Sequence, residues 1–181
     1  MKILTLCLFF SIGCFAQKAD DITFSWDENR PLTWEDFQGK PVKNTDAAAL
    51  TASGISFGFS IGKTGNKITE FTADVECLFY PEESWYKPNE ADAHILKHEQ
   101  LHFNITELHA RKFRKHISEL QPSRHLQNQL NKIYKAISQA SYEMQQQYDE
   151  ETNHSINKEK QAEWQSFITE QLKRYEAFKT Q

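Results

Sequence analysis

The stretch FTADVECLFYPEESWYKPNEADAHILKHEQLHFNITEL, residues 71–108, carries two hydrophobic periods in succession. Phe71, Ala73, Val75, Cys77 and Phe79 fall on alternate positions, as in a strand with one buried face. After Pro88-Asn89 the period becomes helical. Asn89 is the expected N-cap, with Glu90 and Asp92 in a first turn that suits the helix dipole. That helix is expected to run to about Leu120, where Pro122-Ser123 interrupts it.

Upstream the strand pattern repeats. Ile22, Phe24 and Trp26 alternate, and so do Ile55, Phe57, Phe59 and Ile61. Gly62-Lys63-Thr64-Gly65-Asn66 reads as a hairpin loop. Thr33 and Asp36 frame a capped helical turn that holds Trp34. Downstream, Leu126, Leu130, Ile133, Ile137 and Met144 mark a second helix. Asn153 to Asn157 is a break, and Trp164, Phe167, Ile168, Leu172 and Tyr175 mark a third helix. The fold class is α+β, an N-terminal antiparallel sheet (residues 17–88) packed on a helical half (89–181) as a single domain.

Residues 1–16 read as a secretory signal peptide, basic at Lys2 and apolar from Ile3 to Ala16, with cleavage expected after Ala16. The run is short of the roughly 20 residues that span a bilayer. Lipoprotein processing at Cys14, after Gly13, is the alternative. The mature chain then keeps Cys77 alone, so it has no internal disulfide, and Cys77 is expected to be buried. These features place the protein outside the cytoplasm, periplasmic or extracellular, with no integral membrane segment after signal removal. The net charge of −4 disfavours nucleic acid, because phosphates need an excess of positive charge.

The chemistry is concentrated in His98-Glu99-Gln100-Leu101-His102. Two His four apart share one helix face, so both imidazoles can reach one metal ion, and Glu99 can serve as general base toward water. At about 100° per residue, Lys97, Gln100, Asn104, Glu107, Arg111 and Lys115 form one stripe, expected to face water. His98 and His102 point the other way, among apolar residues such as Ile95, Leu101, Ile105 and Phe113. Buried imidazoles need a partner, and a metal supplies one. Zinc is favoured over magnesium, since imidazole suits transition metals.

A catalytic zinc site takes a third protein ligand and keeps one position open. Glu107 lies roughly 140° round from His102, His109 about 10 Å along the axis, and His94 would stretch the site over two turns. Ile105 and Leu108 stand where a metzincin would have Gly and His. The segment Tyr148-Asp149-Glu150-Glu151-Thr152-Asn153-His154, at a helix end, is the best remaining source.

Four stretches resemble a known family. Leu32-Thr33-Trp34-Glu35-Asp36-Phe37-Gln38-Gly39 resembles its L-x-W-x-D-F-x-G start, and Phe79 to Trp85 its strand end before the metal helix. His98-Glu99-Gln100-Leu101-His102-Phe103 is similar to its H-E-Q-x-H-F core. Tyr148-Asp149, Thr152 and His154 fit its Y-D-x-x-T-x-H segment, with Ser155 where Gly is common. The family is DUF922, exported bacterial proteins described as predicted zinc-dependent proteases.

The resemblance implies a zincin-like metallopeptidase acting on a peptide or protein, with an envelope component as one such substrate. His98, His102 and His154 would bind zinc, and Glu99 would activate water. Tyr148 would donate a hydrogen bond to the oxyanion, and Asp149 would orient a ligand His. The strand end near Phe79 would offer an edge to an extended peptide. The alternatives are a non-catalytic envelope binding module with a structural or vestigial metal site, and hydrolysis of an amide in cell-wall peptide.

Overall fold

The computed structural model describes residues 22–180, so the expected signal peptide and Cys14 lie outside the described residues. The two alternating runs form a long antiparallel hairpin, β3 (Ser53–Thr64) and β4 (Lys67–Phe79). Ile55 faces Cys77, Phe57 faces Val75 and Ile61 faces Phe71. The connection is tighter than the expected five-residue loop. Pairing resumes past a bulge at Gly62/Lys63 and leaves Gly65-Asn66 as the turn. Gly65 takes φ +60, a value that costs glycine little and other residues more.

A short β1 (Phe24–Ser25) pairs with the end of β4, giving the order β1-β4-β3. Phe79 is therefore paired on both sides, with Phe24 and with Ser53. The peptide-accepting edge expected near Phe79 does not exist, because the chain's own strands occupy it. A second ribbon joins β2 (Ala49–Leu50) to β5 (Trp85–Tyr86). Between them lies the Leu32–Gly39 motif, a capped 3-10 turn in which Thr33 N donates to Asp36 Oδ2. Gly39 lies so close to the main chain that an added Cβ would sit 2.8 Å from the Glu82 and Ser84 carbonyl oxygens.

Three helices follow: α1 (Ala93–Ser118), α2 (Leu126–Thr152) and α3 (Lys158–Arg174). The molecule is thus α+β, as its periodicity implies. The N-cap of α1 is Asp92, not Asn89. Lys87 accepts from the amides of Glu90 and Ala91 and closes a turn there, while Asp92 Oδ1 accepts from His94 and Ile95.

Helix α1 is the centre of the molecule. One side packs on the sheet through Phe103, Ala110 and Phe113 against Val75, Cys77 and Phe79. Another packs on α2 and α3 through Leu101, Ile105 and Leu108 against Tyr148, Trp164 and Ile168. Cys77 is buried, as expected, and burial pushes its thiol pKa up.

The stripe expected to face water is largely covered. Glu107 and Arg111 are each only 1% exposed. Glu107 Oε1 accepts from Arg111 Nε and Arg114 Nη1, and the two arginines go on to the carbonyls of Leu172, Val75 and Phe178. Mutual ion pairing is what lets this charged stripe lie under the C-terminal segment. Removing one partner of a buried pair costs about 3–5 kcal/mol, so these residues fasten the chain end to α1. Glu107 is thereby held away from the His pair, for a different reason from the solvent exposure expected of it.

His109 is also buried, its Nδ1 donating to the Ile105 carbonyl. Burial lowers its pKa from 6.5 to about 4. Between those values the unfolded chain holds a proton that the folded chain does not. The stability contributed by neutral His109 is therefore complete above about pH 6.5 and is lost as the pH falls toward 4. At about 1.4 kcal/mol per unit, the loss amounts to a few kcal/mol. Denaturant titrations at pH 4.5 and 7 are expected to show a smaller pH dependence for His109→Leu than for wild type; equal dependence would remove His109 as the source.

Candidate metal centre

His98 and His102 occupy successive turns of α1, and their Nε2 atoms are 3.2 Å apart. Asp149, in the last turns of α2, places Oδ1 at 3.1 Å from His98 Nε2 and 3.0 Å from His102 Nε2. These three donors form a cluster able to hold a metal ion. The approach of α2 to α1 brings them together. Tyr148 and Leu101, neighbours of two of the ligands, belong to the same buried cluster between the helices.

The protonation pattern shows what the cluster suits. Gln145 Nε2 donates to the His102 carbonyl and to Thr106 Oγ1, so its Oε1 faces His102 Nδ1 at 2.5 Å. An amide oxygen only accepts, which fixes the proton on His102 Nδ1. In the neutral ring, Nε2 then presents a lone pair to a carboxylate oxygen 3.0 Å away. Two lone pairs at that distance repel unless a proton or a metal cation lies between them. The pKa directions carry the same demand for positive charge. Burial pulls the His102 pKa down, but the hydrogen bond to Asp149 and the charge of Glu99 outweigh it, and the net shift is upward. Burial pushes Asp149 up, yet its bonds to His102 and His98 hold it well below the usual carboxylate range. Two imidazole nitrogens and one carboxylate oxygen are a fitting donor set for a transition metal.

Glu99 is 4% exposed and its Oε2 has no hydrogen-bond partner among the described residues. Its backbone carbonyl accepts from Thr51 Oγ1 at 3.2 Å, which ties α1 to the segment after β2. A buried carboxylate oxygen left without a donor is costly and is a common mark of a functional group.

Tyr148 is fully buried beneath the cluster. Its ring stacks on His98 at 4.5 Å and meets His102 edge-on at 4.9 Å. The hydroxyl points to the His98 carbonyl, 3.4 Å away. Burial is also the main cause of its strongly raised pKa. This geometry puts Tyr148 under the two imidazoles, with its hydroxyl toward the helix backbone.

His154 lies outside the cluster. Its ring is largely exposed, with Nδ1 3.8 Å from Asp149 Oδ1. Asp149, expected to orient a ligand, is itself the third donor. The break after α2 is a strap of three successive non-glycine residues with positive φ, Asn153 (48), His154 (51) and Ser155 (72). Ser155 thus stands in a left-handed conformation that suits glycine. Thr152 Oγ1 bonds to the Tyr148 carbonyl at 2.7 Å and is fully buried. His94 Nε2 lies 2.8 Å from the Ser155 carbonyl oxygen, so this residue anchors the strap rather than the cluster.

The sequence match covers residues 36–155, from the 3-10 turn through α1 and α2 to the strap, in a family described as a bacterial protein of unknown function, DUF922. The chain belongs to the DUF922 family. No curated protein and no solved structure gave a match. Within this DUF922 chain, sequence reasoning missed Gln145 and the place of Asp149 in the donor cluster. A signal for both was present: Gln145 and Asp149 are four apart, the same one-turn spacing as the two His.

Gln145 sets the tautomer of His102, and loss of such a partner typically lowers metal affinity about 10–100-fold. Gln145→Leu is expected to weaken zinc binding by that factor in a chelator-competition titration. Unchanged affinity would show that the His102 tautomer does not depend on it.

Proposed function

We propose that this chain is an exported zinc-dependent metallopeptidase-like hydrolase, with a zincin-like arrangement of sheet and His-Glu-x-x-His helix. His98, His102 and Asp149 hold the metal, and Glu99 is the general base. The observation that carries this reading is the convergence of three donor atoms within 3.2 Å beside a buried carboxylate that has a free oxygen.

A zinc ion in such a site supplies Lewis acidity, polarising a carbonyl and acidifying water. Glu99 accepts the proton of the attacking water and passes it to the leaving amine. Tyr148 fixes the orientation of both imidazoles, stacked on His98 and edge-on to His102. Gln145 keeps the His102 lone pair directed at the centre. A non-catalytic binding module has no use for Glu99 in this state, since a buried carboxylate with an unpartnered oxygen only destabilises the fold.

The signal-like segment 1–16 supports action outside the cytoplasm, periplasmic or extracellular, with Cys14 lipidation as the alternative. Among the described residues no helix is long and apolar enough to cross a membrane. The substrate is a peptide or protein, envelope components included, and the net negative charge argues against nucleic acid.

Glu99→Gln tests the reading. Gln is nearly isosteric but cannot take a proton from water, and general-base catalysis is worth about 10²–10⁴-fold. The variant is expected to keep its zinc and fold while losing that factor in cleavage of a broad peptide library followed by mass spectrometry. Equal cleavage by both proteins would remove Glu99 from the mechanism.

A further inference from the structure

A cavity of about 340 Å³ opens on the solvent side of Asp149, lined by Gln146, Asp149, Glu150, Asn153 and His154. A molecule that enters this cavity meets Asp149 and His154 together. His154 has Nδ1 3.8 Å from one of the clustered donors, Asp149 Oδ1, and its ring is largely exposed.

The backbone that carries His154 is held at a cost. A non-glycine residue in the left-handed region is strained, and three occur in succession. Main-chain bonds hold the strap in that form. The His154 amide donates to the Asp149 carbonyl at 2.9 Å, and the Asn157 amide to the Thr152 carbonyl at 2.7 Å. His94 Nε2 bonds the Ser155 carbonyl, and Gln161 Nε2 bonds the carbonyl of His94. A strap fixed at this many points sets where the His154 imidazole starts, although the ring itself is solvated.

We infer that His154 is a catalytic hydrogen-bond donor to the substrate oxygen, not a ligand of the metal; this rests on the metal-site reading above. As the water oxygen bonds to the carbonyl carbon, the C=O π pair moves onto the carbonyl oxygen. The His154 N–H donates to that oxygen as its negative charge grows. No proton needs to be transferred from His154. The role expected of Tyr148 thus falls to a residue on the open side of the site, where a substrate carbonyl has room.

The test replaces zinc with cobalt(II), whose visible absorption reports its ligands, and titrates acetohydroxamate as an oxyanion-bearing probe. Wild type, His154→Ala and His154→Gln are expected to bind cobalt with affinities within about threefold of one another. Acetohydroxamate affinity should fall about 10-fold or more in His154→Ala, as expected for a hydrogen bond to a charged group, and recover in part in His154→Gln. Unchanged acetohydroxamate affinity in His154→Ala would overturn the inference. So would a loss of cobalt affinity of 100-fold or more in that variant, which would make His154 a ligand. A wild type that binds neither cobalt nor zinc would instead overturn the metal-site reading, and the inference with it.

Discussion

Two imidazoles one turn apart can share a metal only if something holds the helix beneath them straight, dry and facing a third donor. Helix α1 meets that condition by being covered on almost every side. The hairpin packs behind it through Phe103 and Phe113, and the Tyr148–Trp164 aromatic pair fills the space on the other side. Asp149 arrives with α2, and the register of α2 against α1 is set by Gln145, which binds the His102 carbonyl, its ring and Thr106 at once. A shift of α2 by one residue would move both Gln145 and Asp149 off the His face by about 100°.

The same burial explains the polar groups inside the molecule. Glu107, Arg111 and Arg114 form a network that draws the end of α3 and the following segment over α1. Such a network is weak support for stability in itself. Its consequence here is positional, since it closes the face of α1 opposite the His pair. The strained strap after α2 makes the complementary contribution on the open face. It spends conformational energy where the chain must turn from α2 into α3 without covering Asp149.

Much of the architecture was legible from period alone. The hairpin, the change to helix after Pro88 and the break at Asn153–Asn157 all rest on local chemistry that leaves a local signal. His98 and His102 were legible because both sit one turn apart on one helix. The third donor was not, because it depends on how α2 docks, and the segment that supplies it contains an Asp and a His within six residues. Helical angles correctly set Glu107 apart from the His pair but misassigned its surroundings. An angle says which way a side chain points, not what later covers it, and the C-terminal segment that buries Glu107 lies some seventy residues away. The edge near Phe79 failed for a similar reason, since the alternation of Ile22, Phe24 and Trp26 marks a strand without saying which neighbour it pairs with.

The most direct measurement is anomalous diffraction at the zinc edge from crystals of the zinc-soaked protein. One peak is expected, about 2.0–2.2 Å from His98 Nε2, His102 Nε2 and an oxygen of Asp149, with His154 beyond bonding distance. A peak bonded to His154 in place of Asp149, or no peak at this cluster, would contradict the site described here.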